Sequence, residues 1–434
     1  MTVPFAETSL PRVLVATPNN FNLEAGAGIT LSNLFRGWPI DRLANVHEDR
    51  TPADRSVCRN SFRLTHREVQ WAWPFSLIEP PATGAQNDYG TSAVTLPHPG
   101  AAWKRCLVGD GIPRHITISS SLASWIETFK PQMIYTHLGS LAQIRFARAV
   151  ADRWRLPLAV HIMDDWPSVV YTTGLLGPLL RRIILRDLRD VLARATSRMA
   201  ISDAMASEYE RRYQHRFMPF HNALDMKEWS LASRQEWALN AGGTTVRYVG
   251  SIVPEAQRNA LREVCDAIAA LREDGFDITL SVHAPAAQAA PLRAWGYSED
   301  VLRLAPPAEA ADVPRLLSGA DILVLPFNFD ASSRQYMRLS MPTKVPAYMI
   351  SGTPVLVYGP REQATVTYAA LQRWGETVTE NDMHTLKAAL RRLITDGDRR
   401  ERLGRAAISL ARQSHDAARV SRAFQNTLAS AMDC

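Results

Sequence analysis

The sequence of 434 residues contains little cysteine, and its four cysteines lie far apart, at positions 58, 106, 265 and 434. This spacing indicates neither a zinc ribbon nor a redox pair, so we expect a reduced, cytoplasmic chain. The first twelve residues have no basic region followed by an apolar core, and no apolar run approaches the ~20 residues of a membrane-spanning helix, so we expect neither a signal peptide nor a membrane span. The formal net charge is only +6. This mild excess suits an anionic ligand, but it is not the clustered basic charge of a nucleic-acid-binding protein.

Short apolar runs alternate along the chain with amphipathic segments of helical length, and 46% of the residues are hydrophobic. This alternation predicts an α/β fold in which parallel sheets are wound with helices. The predicted strands span residues 12–17, 132–137, 158–162 and 198–201, then 245–250, 277–283, 321–326 and 354–358. The predicted helices include residues 119–129, 141–154 and 179–195. The pattern starts twice, which predicts two successive doubly wound, Rossmann-like domains.

The place where the pattern restarts sets the expected domain boundaries. We expect a first domain at residues 1–222, a linker at 223–243, a second domain at 244–415 and a C-terminal helix at 416–434. Residues 47–115 are rich in proline, glycine and tryptophan and have no clear period. We interpret them as loops and small strands inserted in the first domain.

Ligands of open parallel sheets bind at the carboxyl ends of the strands, so the segments that follow strands are the candidate sites. After the first strand, Gly26 and Gly28 allow the backbone to approach a ligand at the start of a helix. The third glycine of the dinucleotide fingerprint is missing. An ordinary strand-to-helix loop is the alternative interpretation.

A second candidate site lies before the last predicted strand. The run Ser340-Met-Pro-Thr343-Lys344 precedes a short helix, for which Pro342 suits the first turn and Gly352 the end. Two hydroxyls, exposed N–H groups and the Lys344 ammonium would converge there, which is typical of a diphosphate site. The alternative is a capped connecting helix with a surface lysine.

The segment SMPTKVPAYMISGTPVLVYGP resembles the donor site of bacterial glycosyltransferases of family four, the retaining group 1 enzymes of the GT-B fold. Those enzymes read S-x-P-x-K, then a tyrosine, a small residue, a glycine and P-V-L. Further matches follow in order along the chain: the glycine loop, His161-Ile-Met-Asp-Asp165-Trp-Pro, Asn222-Ala-Leu-Asp225 and Tyr248-Val-Gly-Ser251. The resemblance covers nearly the whole chain outside residues 47–115.

The resemblance implies a metal-independent enzyme without a cofactor, which moves a sugar from a nucleotide-sugar donor to a saccharide or lipid-linked acceptor in polysaccharide synthesis. The donor would bind mainly the second domain and the acceptor the first, and a C-terminal helix would cross back to the first domain. No nucleic acid takes part. The open alternatives are a nucleotide-sugar epimerase and a non-catalytic relative that binds nucleotide sugars.

The resemblance also implies site residues. His161, Asp164 and Asp165 would orient the acceptor hydroxyl or take its proton. The alternatives are a core histidine for His161 and a helix cap before Trp166 for the two aspartates. The expected donor-binding residues are Gly26, Gly28, Ser251, Arg258, Ser340, Thr343 and Lys344.

The chain departs from the family at two positions. Leu339 and Ala347 stand where the family usually carries two glutamates, the second of which contacts the donor ribose. Neither side chain accepts a hydrogen bond, so the sequence leaves the identity of the donor nucleotide open.

Two further features concern partners. The predicted helix at residues 179–195 has an apolar side and an arginine-rich side. It would touch anionic lipid at a membrane surface, or it covers a sheet with a solvated basic face. Trp71, Trp73 and Trp103 would stack on acceptor sugars, or they form a small core of their own.

Overall fold

The computed structural model describes residues 10–23, 26–72, 106–109 and 113–432. The chain forms two compact units, one of Met1–Phe220 together with Arg419–Cys434, the other of His221–Ala418. Each unit is built on a parallel sheet with flanking helices. The predicted α/β architecture of two Rossmann-like domains is therefore confirmed.

The first unit has a seven-stranded sheet in the order β3-β2-β1-β6-β7-β8-β9, in which every described pairing is parallel. Its strands are β1 (Val13–Ala16), β2 (Leu43–His47), β3 (Asn60–Arg63), β6 (Met133–His137), β7 (Leu158–Ile162), β8 (Ser197–Ala200) and β9 (Met218–Pro219). A separate antiparallel pair consists of β4 (Val69–Trp71) and β5 (Arg114–Ile116). The central strands are buried on both faces, which is why they read as continuous apolar runs.

The helices of the first unit connect these strands. They are α1 (Gly26–Phe35), α2 (Ser120–Phe129), α3 (Leu141–Trp154), α4 (Trp166–Val169), α5 (Gly177–Arg194) and α6 (Asp203–Tyr213). A serine caps the start of α2, α3 and α6: the hydroxyls of Ser119, Ser140 and Ser202 each accept a hydrogen bond from a backbone N–H of the first turn.

In the described part of residues 47–115, the structure shows small strands, as the sequence analysis expected: β3, β4 and the start of β5. Strand β3 extends the main sheet, with Ala44 paired to Asn60. Its residues alternate between exposed and partly exposed, because an edge strand is covered on fewer sides. Such a strand has no buried apolar run, so the sequence pattern missed it.

The second unit has a six-stranded parallel sheet in the order β12-β11-β10-β13-β14-β15. Its strands are β10 (Thr244–Val249), β11 (Ile278–His283), β12 (Leu302–Ala305), β13 (Ile322–Pro326), β14 (Val355–Tyr358) and β15 (Glu376–Val378). Numbered along this unit, the order is 3-2-1-4-5-6, the order of the Rossmann fold.

The helices of the second unit begin with α7 (Met226–Ser230) and α8 (Asn259–Glu273), which follows one π turn at Pro254–Arg258. The others are α9 (Ala286–Arg293), α10 (Val313–Ser318), α11 (Ala331–Met337), α12 (Val345–Ser351), α13 (Ala364–Gln372), α14 (Met383–Thr395) and α15 (Gly397–Ser414). One face of α8 is apolar and fully buried in the core of the second unit; it consists of Leu261, Val264, Cys265, Ile268 and Leu271.

The last helix, α16 (Ala417–Ser430), returns the chain to the first unit. There the ring of Phe424 packs edge-on against Phe35 and Tyr135, with ring centroids 4.9 and 5.6 Å away. The predicted crossing of a C-terminal helix is thereby confirmed. Among the helices of the described residues, none is long and apolar enough to cross a membrane.

Candidate functional site

The carboxyl edge of the second sheet has a crevice between β10 and β13. The chain proceeds from β10 to β11 on one side of the sheet and later returns to β13 on the other. The loops after these two strands therefore diverge, and ligands of open α/β sheets bind at such a point. The loop after β10 carries Gly250 and Ser251, and Lys344, directly before α12, contacts this loop.

Lys344 lies at the start of α12 and points to the end of β10. Its Nζ donates a hydrogen bond to Tyr248 Oη at 2.6 Å and lies 3.4 Å from the Ser251 carbonyl oxygen. Nζ also lies 4.0 Å from the centre of the Tyr248 ring, a cation–π contact. The sequence prediction had brought Ser251 and Lys344 to one site, and the structure brings them together.

Gly250 makes room for this lysine. Its φ is +122°, and a Cβ at this position would lie 3.1 Å from Lys344 Nζ and 3.3 Å from Cε. A side chain would therefore be strained and would press on the ammonium. The sequence interpretation used Gly250 only as the end of a strand and missed this role, because the close approach depends on tertiary contact.

The charge of Lys344 has no carboxylate partner within salt-bridge distance among the described residues. Burial lowers the pKa of the ammonium to about 7. Lys344 is half-buried, and an incoming anion would compensate for the hydration that its ammonium has lost. The arrangement is therefore suited to a phosphate group.

Tyr348 fixes α12 against β10. Its hydroxyl accepts a hydrogen bond from the Val249 N–H at 2.8 Å and donates one to the Val249 carbonyl at 3.2 Å. The tyrosine is almost fully buried. A ring held by both hydrogen bonds sets the distance between the helix that carries Lys344 and the strand that receives it.

Two amide side chains hold the loop before Lys344 through hydrogen bonds to its backbone carbonyls. Asn222 donates a hydrogen bond to the Met341 carbonyl at 2.8 Å, and Gln363 donates one to the Ser340 carbonyl at 3.0 Å. The Asn222 carbonyl in turn accepts a hydrogen bond from the buried ring of His415 at 2.7 Å. Asn222 thus positions the predicted donor loop, a role that sequence spacing did not reveal.

The other predicted donor residues of the second unit are less clearly placed. The Ser340 hydroxyl is buried and has no hydrogen-bond partner among the described residues, whereas Thr343 is partly exposed. Arg258 ends the π turn after β10 and is exposed, without a described contact to Lys344. Arg258 therefore stays a prediction.

Leu339 and Ala347 are core residues. Their exposed fractions are 4% and 7%, so both pack into the second unit. Every residue of α12 is buried. The structure thus gives no substitute acceptor at either position for the ribose hydroxyls.

The glycines of the first unit play different parts. A Cβ on Gly28 would lie 2.0 Å from the Asn22 side chain, so Gly28 is needed for packing beneath α1. A Cβ on Gly26, at the exposed start of α1, would meet nothing within 4 Å. Only Gly26 therefore leaves its backbone open to a ligand.

His161 lies inside the first unit. It is fully buried in β7, and its Nδ1 lies 2.7 Å from Tyr135 Oη. Burial, together with the nearby His137, lowers the pKa of His161 to about 3, so the ring is neutral. This surrounding favours the alternative interpretation of a core histidine over direct contact with an acceptor.

Asp165 is engaged in a buried ion pair. Its carboxylate accepts hydrogen bonds from Arg212 at 2.7 and 3.0 Å, from Tyr209 at 2.9 Å and from Ser168 at 2.7 Å. Both carboxylate oxygens are thus occupied by donors of the first unit itself. Asp165 makes no side-chain cap to α4. Asp164, by contrast, is exposed.

His137 was missed by the sequence interpretation. It ends β6, which flanks β1 at the point where the strand order of the first sheet reverses. Burial lowers its pKa to about 4, and its Nδ1 has no partner among the described residues. A neutral imidazole at the carboxyl end of a strand lies where ligands of such sheets bind. Its free ring nitrogen can accept the proton of an acceptor hydroxyl. The available signal was its position at the end of a predicted strand.

The remaining predicted features are only partly visible. In α5 the apolar side is buried, while Leu179 is 56% exposed. Trp71 is partly exposed in β4, and Trp73 and Trp103 lie outside the described residues. Within the described ranges, no three histidine, cysteine, aspartate or glutamate side chains form a group that could hold a metal ion.

Comparison with known proteins identifies the fold. Neither a protein-family model nor a curated protein matches the sequence. Solved structures do: sucrose-phosphate synthase from Thermosynechococcus elongatus has a TM-score of 0.61 at 12% identity, over 94% of this chain and 96% of that one. HepE from Anabaena, in complex with UDP, has a TM-score of 0.61 at 13% identity, over 96% of this chain and 100% of that one. The catalytic domain of starch synthase IV from Arabidopsis thaliana, bound to ADP and acarbose, has a TM-score of 0.61 at 10% identity, over 98% of this chain and 100% of that one. The chain therefore has the fold of the GT-B glycosyltransferases.

Proposed function

We propose that this protein is a glycosyltransferase that moves a sugar from a nucleotide-diphosphate sugar to a saccharide or lipid-linked acceptor, in the synthesis of surface polysaccharide. The observation that carries the proposal is the Lys344 ammonium, enclosed by Tyr248, Gly250 and Ser251 at the switch point of the second sheet. A cation without a carboxylate partner at this place suits the diphosphate of a donor. Similar structures that hold UDP or ADP support the same class of ligand.

Lys344 would act on the leaving group. When the bond between sugar and diphosphate breaks, negative charge grows on the diphosphate, and a fixed cation there stabilises the transition state. Helix α12 has only seven residues, so we assign most of the effect to the lysine. We propose that neither a metal ion nor a cofactor is needed, and by resemblance that the anomeric configuration is retained.

The acceptor would bind the first unit at the carboxyl edge of its sheet. His137, Asp164 and Gly26 lie at or after strand ends there. His161 and Asp165 would support this edge from inside, as a buried hydrogen-bond partner and a buried ion pair. We also propose that α5 touches the membrane surface.

Binding of nucleoside diphosphates tests the donor site. Lys344→Ala should weaken binding of UDP or dTDP by about 1.5–3 kcal/mol, the range for a hydrogen bond to a charged group, or roughly ten- to a hundredfold. Free uridine should bind both proteins equally, because it has no phosphate. Calorimetry gives the constants, and Lys227→Ala, which removes an exposed lysine of the same unit, is the control.

A second variant separates a loss of geometry from a loss of charge. Gly250→Ala keeps the lysine, but the new Cβ presses on its Nζ, so this variant should also weaken the binding of the diphosphate. In the double variant, Gly250→Ala should add little to the loss of affinity that Lys344→Ala causes by itself. Equal diphosphate affinity in wild type and Lys344→Ala would place the donor elsewhere. Release of nucleoside diphosphate only in the presence of an acceptor separates a transferase from an epimerase or a non-catalytic binding protein.

A further inference from the structure

A cavity of about 660 Å³ lies at the opposite, amino edge of the first sheet. Its walls come from Arg12, directly before β1, from Asp41, two residues before β2, and from Asn60, which begins β3. Strands of four residues separate the two edges by roughly 13 Å at ~3.3 Å per residue. The cavity is therefore distinct from the carboxyl edge, where the acceptor would bind. Its volume is in the range of small-molecule sites, ~300–1,000 Å³.

Two arginines in this cavity lack a carboxylate partner among the described residues. The Arg12 guanidinium stacks 4.9 Å above the Phe129 ring, and its Nε is buried without a hydrogen-bond partner. Arg59 is exposed at the rim. Guanidinium groups bind carboxylates through paired N–H donors, so these two side chains would hold the carboxylate of a ligand at this place.

The other walls indicate what carries the carboxylate. Trp125 is partly exposed and offers one ring surface, which is backed by the Phe62 ring at 5.6 Å. Phe129, by contrast, is buried beneath the Arg12 guanidinium. Aromatic rings pack against the C–H face of a sugar. Asp41 and Asn60 provide oxygens that accept hydrogen bonds from sugar hydroxyls. One aromatic face, hydroxyl acceptors and guanidinium donors together fit a sugar ring that bears a carboxylate.

We propose that this cavity is a second saccharide site, which binds an acidic sugar unit of a uronate type away from the transfer site. The site would hold a distant unit of a polymer or an acidic effector. It goes beyond the proposed transfer reaction, because its residues belong to the first unit and the donor residues to the second.

Binding of a defined acidic oligosaccharide tests the site. Wild type should bind trigalacturonate saturably in ligand-detected NMR and bind the neutral trisaccharide maltotriose at least fivefold more weakly. Arg59→Ala and Trp125→Ala should each weaken the binding of trigalacturonate at least fivefold. Arg55→Ala, which removes an exposed arginine outside the cavity, should have no effect.

UDP affinity in the same samples reports on the donor site. It should be equal in wild type, Arg59→Ala and Trp125→Ala, so a failed donor site and a failed saccharide site give different results. Because Arg59 is exposed, its variant should fold even if Trp125→Ala does not. No binding of trigalacturonate to wild type, equal binding of maltotriose, or equal binding by Arg59→Ala would overturn the proposal.

Discussion

At the residue scale, the protonation of Lys344 governs the proposed donor site. Only the ammonium form attracts a diphosphate, and burial brings the pKa of this lysine to about 7. As the pH rises through 7, Lys344 loses its proton in the free protein. Binding of the diphosphate then requires Lys344 to take up a proton again. The affinity for diphosphate should therefore fall with rising pH.

This dependence is measured by calorimetry with UDP between pH 7 and pH 9. Once Lys344 is neutral in the free protein, the affinity should fall by up to about tenfold per pH unit, because one proton is taken up with the ligand. Lys344→Arg keeps its charge over the whole window and should show a flat profile. A flat profile for wild type as well would contradict the role of Lys344.

Ala347 predicts an unusual tolerance at the donor ribose. A glutamate that accepts bonds from both ribose hydroxyls discriminates against 2′-deoxyribose, because its buried carboxylate loses a partner. The alanine has no acceptor to leave unpaired. We therefore expect dTDP to bind at least as tightly as UDP in a calorimetric comparison. A preference for UDP of tenfold or more, about 1.4 kcal/mol, would show that another side chain contacts the ribose.

At the element scale, α5 and the turn before it carry a stripe of exposed residues. Leu175 and Leu179 are 75% and 56% exposed, and Arg182, Arg186 and Arg189 follow at helical spacing. Leucines that enter the acyl boundary and arginines that meet lipid phosphates would together hold this helix on an anionic bilayer. Each arginine near such a surface contributes about 1 kcal/mol.

Sedimentation with lipid vesicles tests this contact. Wild type should bind vesicles that contain phosphatidylglycerol and not vesicles of phosphatidylcholine alone. The double variant Leu175→Ser with Leu179→Ser should lose most of this binding. Leu371→Ser, which changes an equally exposed leucine of the second unit, should keep it. If both variants bind like wild type, α5 is only a solvated cover of the sheet.

The elements themselves were predictable because their signals are local. Strands such as β7 are buried on both faces and read as apolar runs, and serine caps mark where α2 and α3 begin. Strand β3 was missed because, at the edge of the sheet, it has no buried apolar run.

At the scale of the whole molecule, we expect activity without a metal ion. The proposed site relies on a lysine to stabilise the leaving diphosphate, so turnover should survive exhaustive treatment with EDTA once a donor and an acceptor are known. The measurement is initial rate before and after chelation, with UDP affinity as the control for folding. Loss of activity that manganese or magnesium restores would contradict a metal-independent site.

The sequence by itself determined the two wound sheets, because burial periodicity and caps are written in neighbouring residues, and its short motif is the basis of the donor segment that we propose. Tertiary structure alone decided the roles within the sites. Ser251 and Lys344 are 93 residues apart, and Asp165 and Arg212 are 47 apart. The fold shows the contacts of each pair: Lys344 Nζ lies 3.4 Å from the Ser251 carbonyl oxygen, whereas Asp165 and Arg212 form a buried ion pair. It likewise buries His137 and His161 side by side on neighbouring strands, since burial depends on which elements pack around each side chain.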